Sequence, residues 1–313
     1  MKTKHVFALL ALFFSLGAMA QSGPQVTYRD GTVEGIDSSG VKIFRGIPFA
    51  QPPVGDLRWK APQPVKAWTG VRPAKAFGPD PEQNNVFGDM KFEGGRKSED
   101  CLYLNVWTPA RSMDEKLPVL IYFNGGGLVA GSGSEPRYQG LRLARRGNII
   151  VVTANYREGI FGFFSLPELT KEGCHGNQGW LDQAAAIKWV KDNIAAFGGD
   201  PNRITINGES AGSMSVCALT TSPLSRDLIS GYMCSSGSVV AGSTPGSLAE
   251  AERKGTEWAK KNHLKKLSDM RKLSAEELKK LGGNTFGRGT ACIDGIFLTE
   301  DPNKVISEGR QSQ

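Results

Sequence analysis

The sequence predicts an α/β domain with a mostly parallel central sheet and helices on both faces. Short apolar runs alternate with helical runs from about Leu117 onward, the pattern of strands joined by helical crossovers. One crossover shows clear helical spacing, and one Gly-rich turn joins a strand-like run directly to a helical one.

In chain order, Met1 to Ala20 reads as a cleavable export signal: Lys2 and Lys4 precede the apolar run Val6 to Leu16, with small residues at Ala18 and Ala20. Residues 21–313 would then be a single secreted or periplasmic domain. That length buries roughly three-quarters of the surface of the unfolded chain. No other apolar run reaches the roughly 20 residues needed to span a bilayer, so stable membrane insertion is not expected.

The first hundred residues are rich in Pro and Gly, as in "GIPFAQPPVGDLRW" (Gly46 to Trp59), and predict a small antiparallel entry sheet with surface loops. "LPVLIYF" (Leu117 to Phe123), "NIIVVTANY" (Asn148 to Tyr156), "RITI" (Arg203 to Ile206) and "ISGYMC" (Ile229 to Cys234) are continuous apolar runs, expected of strands buried on both faces. Between the second and third, Ile187, Val190 and Ile194 repeat at helical spacing, and Gly198 with Pro201 closes the helix.

The formal charge of +7 is spread along the chain except for "KKNHLKKLSDMRKLSAEELKKL" from Lys260. Leu alternates there with Lys and Glu, which predicts one or two amphipathic surface helices. Acidic residues interrupt the stretch and no aromatics interleave, so it is not read as a nucleic-acid or membrane patch. All five cysteines (Cys101, Cys174, Cys217, Cys234 and Cys292) lie beyond the leader. None has CxxC spacing, so neither a metal site nor a redox motif is supported.

The chemistry centres on "NGESAG" (Asn207 to Gly212). A G-x-S-x-G match alone is weak, but this one directly follows a buried run and opens the helical run "SAGSMSVCALTT". Strand, sharp turn and helix in that order make a nucleophile elbow with Ser210 at its tip. Gly208 and Gly212 are required where strand and helix nearly touch. An ordinary Gly-rich strand-to-helix turn and a phosphate-cradling loop are the local alternatives. A second glycine motif, "FNGGGLVAGSG" from Phe123, also follows a buried strand, and its bare amides could approach a negatively charged oxygen. Paired with the amide after the serine, it would form an oxyanion hole.

Here the chain resembles the type-B carboxylesterases, the group of cholinesterases and para-nitrobenzyl-type esterases. The likeness rests on "FRGIPFAQPPVGDLRW", "SEDCLYLNVWTP", "NGGG", "GNQGWLDQAAAIKWVKDNIAAFGGDP" and "GESAGS". It implies the α/β-hydrolase fold, a small-molecule carboxylic ester as substrate and no cofactor. It also implies Ser210 as catalytic nucleophile, with the amides of Gly126, Gly127 and Ala211 as oxyanion hole and a structural ion pair between Glu99 and Arg58. The chain departs from the family in three ways. Asn124 stands where the family usually has His or Tyr, and "FGPDPEQ" (Phe77 to Gln83) supplies no partner for Cys101. The third departure concerns the proton carriers. A serine hydroxyl needs an imidazole to take its proton, and in this fold the acid and then the histidine come after the serine.

Beyond the leader only His175 and His263 remain. His175 precedes Ser210 and reads as a loop residue. His263 comes after it, with Asp227 or Glu250 as nominal acid, but sits in the charged "AKKNHLKK". "CIDGIFLTEDPNKVISEGRQSQ" from Cys292 resembles the family segment just before the strand that delivers the acid. The expectation is therefore a C-terminally truncated esterase, incomplete in its later strands and with little activity of its own. If Ile229 to Cys234 is its last strand, an open edge and an uncovered apolar face result. Two other readings compete with it: a non-catalytic binding or adhesion module of the same fold, and a compact esterase of hormone-sensitive-lipase type.

Overall fold

A computed structural model describes residues 22–312, so the leader expected over Met1 to Ala20 lies outside the described residues. Seven strands form the main sheet: β1 (Ile36–Ser38), β2 (Val41–Pro48), β3 (Tyr103–Thr108), β4 (Leu117–Phe123), β5 (Ile150–Ala154), β6 (Gly199–Glu209) and β7 (Gly231–Ser235). Their spatial order is β7-β6-β4-β5-β3-β2-β1. The pairs β7/β6, β6/β4 and β4/β5 are parallel. The pairs β5/β3, β3/β2 and β2/β1 are antiparallel. The sheet is therefore mixed, and the expected parallel arrangement holds for β7, β6, β4 and β5, the half that carries the elbow. The reason is connectivity: chain reversals such as β1 to β2 pair strands antiparallel, whereas parallel neighbours need a long crossover.

Alternating side chains on β5 face opposite sides of the sheet, as strand geometry requires. Ile150, Val152 and Ala154 join the large core with Trp180, Ile187 and Val190 of the crossover helix, while Val151 joins a smaller cluster with Trp107 and Ala144. Among the helices are α1 (Leu141–Gly147), α2 (Gln178–Asn193), α3 (Ala211–Thr221) and α4 (Leu248–Lys261). The helix α2 is the predicted crossover, and Gly198 at φ 84° ends the turn that closes it. Every residue of α3 is buried, in keeping with a helix that carries no charge and whose Ser and Thr hydroxyls all find hydrogen-bond partners.

The amino-terminal region forms the expected small sheet from Gln25–Tyr28, Gly31–Glu34 and Val71–Pro73, although its last pairing is parallel. The Lys-rich stretch folds as surface helices. It starts at the end of α4 and continues through Leu267–Lys272 and Ala275–Gly282, the last opened by a Ser274–Glu277 capping box. Their apolar sides build a second core with Trp59, Phe164 and Phe286.

Strand β7 differs from expectation. Its apolar run predicts burial on both faces, yet β7 is the edge of the sheet and four of its five residues are exposed. Tyr232 and Met233 are 41% and 54% exposed, because β6 is the only neighbour and nothing among the described residues covers them. The adjacent sheet face is also open: Leu120, Tyr122 and Asn207 line a groove of about 830 Å³ beside α1.

Candidate active site

The elbow is built as its glycines require. Ser210 joins β6 to α3 with φ 55° and ψ −120°, a conformation that side-chain-bearing residues rarely adopt. A Cβ on Gly208 would lie 2.4 Å from the Gly212 carbonyl carbon, and one on Gly212 would lie 2.3 Å from Phe123 O. Neither position tolerates a side chain. The Ser210 amide donates to Ser235 O at 2.8 Å, and its carbonyl accepts from Met214 N at 3.0 Å. Neighbouring strand and helix thereby fix the serine backbone from both sides.

The loop Asn124 to Gly127 lies against this elbow: a Cβ on Gly125 would sit 3.2 Å from Ser210 Cβ. Gly126 has φ 116°, and a Cβ there would lie 1.9 Å from Ala130 O. Among the described residues the N–H groups of Gly126 and Gly127 have no acceptor, and that of Ala211, first in α3, has none within its helix.

The loop is held from behind by groups that sequence reasoning missed. Asn124 Nδ2 donates to Glu158 Oε1 at 3.1 Å, to Gly125 O at 3.1 Å and to Tyr156 Oη at 3.3 Å. The Tyr156 hydroxyl donates back to Asn124 O at 2.9 Å. Burial pushes the Glu158 carboxyl well above the usual carboxylate range, against the opposing hydrogen bonds of Asn124 and Tyr156. Next to it, Arg157 forks onto buried Asp182 with two 2.8 Å bonds. A lone Glu in "YREGIFGFF" carries no spacing that could have flagged it.

Other residues singled out in the sequence are not brought to the serine. Arg58 and Glu99 form a two-point ion pair, with Nε to Oε2 at 2.7 Å, and Arg58 Nη1 also donates to Leu273 O. That is the structural pair expected of them. Cys101 is buried with a free thiol. His175 is bonded through Nδ1 to Asp294 O at 2.7 Å, and His263 is an exposed residue at φ 58° just after α4. Asp227 is 86% exposed, and Glu250 pairs with Lys254. Among the described residues neither histidine bonds Ser210. A cleft of about 430 Å³ is lined by Met214, Thr244, Arg288 and Thr290 but not by Ser210 or the loop glycines, and it is linked to them through the Arg288 amide, which donates to Gly127 O.

Family comparison decides what this arrangement belongs to, since the profile described as the Carboxylesterase family matches residues 22–313. The chain belongs to the carboxylesterase family. It is 44% identical over 256 residues to the fumonisin B1 esterase of Sphingopyxis macrogoltabida, covering 81% of this chain and 46% of that protein. It is 39% identical over 296 residues to the para-nitrobenzyl esterase of Bacillus subtilis (strain 168), covering 92% and 60%. A thermophilic para-nitrobenzyl esterase structure superposes at TM-score 0.84 with 37% identity, covering 91% of this chain and 60% of that one. A Geobacillus stearothermophilus carboxylesterase superposes at TM-score 0.81 with 38% identity, covering 91% and 59%. This member of the carboxylesterase family therefore has the α/β-hydrolase fold. It spans roughly half of the curated relatives' length. Among the described residues no helix is long and apolar enough to cross a membrane.

Proposed function

We propose that this carboxylesterase chain attacks small carboxylic esters through Ser210 and an acyl-serine intermediate. The Ser210 oxygen adds to the ester carbonyl, and the carbonyl oxygen becomes an oxyanion facing the N–H groups of Gly126, Gly127 and Ala211. Collapse breaks the ester C–O bond, releases the alcohol and leaves an acyl group on Ser210; water then releases the acid and restores the hydroxyl. The observation that carries this reading is the left-handed Ser210 turn packed against a loop whose amides have no acceptor.

Each well-aimed oxyanion donor contributes on the order of 3 kcal/mol to such a step. The base is the weak point, because His175 is engaged elsewhere and His263 is exposed. The chain by itself should therefore acylate slowly, its hydroxyl proton leaving to solvent or buffer, with little or no sustained turnover. Export is part of the same proposal: N-terminal sequencing of protein recovered from outside the cytoplasm should begin at Gln21.

Labelling with a fluorophosphonate, read by intact mass, tests the nucleophile. The expected result is a single adduct on the wild-type chain, none on Ser210→Ala, and a difference in p-nitrophenol release from an activated ester between wild type and Ser210→Ala that grows when imidazole is added, over the release that imidazole causes by itself. A binding or adhesion module would leave both proteins unlabelled, with equal p-nitrophenol release at every imidazole concentration.

A further inference from the structure

The loop beside Ser210 is tied down at both ends by one short segment, Tyr156 to Gly159. At one end Glu158 and Tyr156 bond Asn124, and at the other the Gly159 amide donates to Leu128 O at 2.8 Å. Asn124 is 2% exposed and Glu158 is completely buried. A Cβ on Gly131 would lie 1.9 Å from Asn124 Nδ2, so the backbone of the next turn closes the remaining side of the amide.

No cation answers Glu158. Arg157 forks onto Asp182 through Nε and Nη2, while its Nη1 is buried without a partner among the described residues and bonds no Glu158 oxygen; Arg58, which lines the same small cavity with Glu82 and Glu99, is engaged by Glu99. The second Glu158 oxygen is buried without a hydrogen-bond partner among the described residues. Ionised carboxylates are poorly held in such surroundings, whereas a neutral acid can still accept the Asn124 amide hydrogen. An apolar residue at 158 would remove one of the three acceptors of the buried Asn124 amide and leave it only Gly125 O and the Tyr156 hydroxyl, loosening its hold on the loop.

We propose that Glu158, uncharged and hydrogen-bonded to Asn124, is a positioning residue that holds the Gly126 and Gly127 amides in place beside Ser210. Asn124 transmits this hold because it immediately precedes the glycines and its side chain also donates to Gly125 O. The inference rests on Ser210 being the nucleophile.

The test compares fluorophosphonate labelling of the wild-type chain, Glu158→Gln, Glu158→Met and Ser210→Ala across reagent concentration. Glu158→Met keeps the volume and deletes the acceptor. It should lower the maximal labelling rate by roughly tenfold to a hundredfold, at or below the loss of one oxyanion donor, with the half-saturating concentration unchanged. Glu158→Gln, a neutral acceptor of the same shape, should restore labelling to within about threefold of wild type, as expected if neutrality and not charge is what the site uses. In parallel, the infrared difference between wild type and Glu158→Gln at pH 7 should show a protonated-carboxyl stretch in the wild type. Wild-type labelling by a folded Glu158→Met, or an equal loss in both variants, overturns the inference. If Glu158→Met does not fold, Asn124→Leu, which deletes the same hydrogen bond from the other side, takes its place and should slow labelling severalfold; an unchanged rate overturns the inference. Labelling of Ser210→Ala at the wild-type rate would refute the nucleophile instead, while absence of the carboxyl band would independently refute a neutral Glu158.

Discussion

Strands β6 and β7 lie side by side, yet they obey different constraints. β6 runs into a turn whose glycines sit 2.3–2.4 Å from backbone atoms in any side-chain-bearing form, and it continues into a helix with no exposed residue. β7 shows four of five residues to solvent and leaves Tyr232 and Met233 bare. The first region is determined by contacts that its own residues demand. The second is determined by what does or does not lie against it, which its residues cannot specify.

The largest effect is expected where the elbow is tightest. Gly212→Ala drives a methyl group into Phe123 O and should cost about 3 kcal/mol or prevent folding, measured by urea denaturation. A loss below about 1 kcal/mol would mean that strand and helix are not in hard contact.

The buried face of the site should also show a pH signature that β7 lacks. Because the Glu158 pKa is raised in the folded state, that state binds more protons than the unfolded chain between the ordinary Glu range and the raised value. The group's contribution is thus fully present at low pH and lost as pH rises through that window, at up to about 1.4 kcal/mol per pH unit. Unfolding free energies measured between pH 5 and pH 8 should show that fall in the wild type, less of it in Glu158→Gln. Parallel curves would show that Glu158 ionises normally.

Next in size is strain. Ser210 occupies a left-handed conformation that glycine adopts freely, so Ser210→Gly should raise stability by about 1 kcal/mol while abolishing labelling. Equal stability would place the turn outside the strained category.

The same division governs how much of the molecule is legible in its sequence. β4 can be read to the residue from "LPVLIYF", and the elbow and loop are readable because glycine at fixed offsets answers a local steric need. β6 begins four residues before "RITI", at Gly199, since a register shift between Gly199 and Ile204 lets the irregular start pair with Leu117. β7 reads as buried and is not, because apolar composition says what a strand would bury, not whether a neighbour exists. β7 is an edge of the main sheet, although two short strands outside that sheet, Gly246–Ser247 and Cys292–Ile293, follow it in the chain. Glu158 escapes sequence reasoning altogether, since its meaning lies in Asn124, more than thirty residues away.

The smallest change in stability is expected on β7. Tyr232→Thr with Met233→Lys should alter the unfolding free energy by no more than about 0.5 kcal/mol, as at other exposed positions, yet increase solubility by charging an apolar edge. A loss above about 2 kcal/mol would show that β7 is covered in solution.

The most direct test of the central claim is intact-mass analysis of the wild-type chain and Ser210→Ala after fluorophosphonate treatment, with peptide mapping of any adduct. One adduct per wild-type chain, on the peptide carrying Ser210 and absent from the variant, is the predicted result. No adduct, or the same adduct in both proteins, would contradict it.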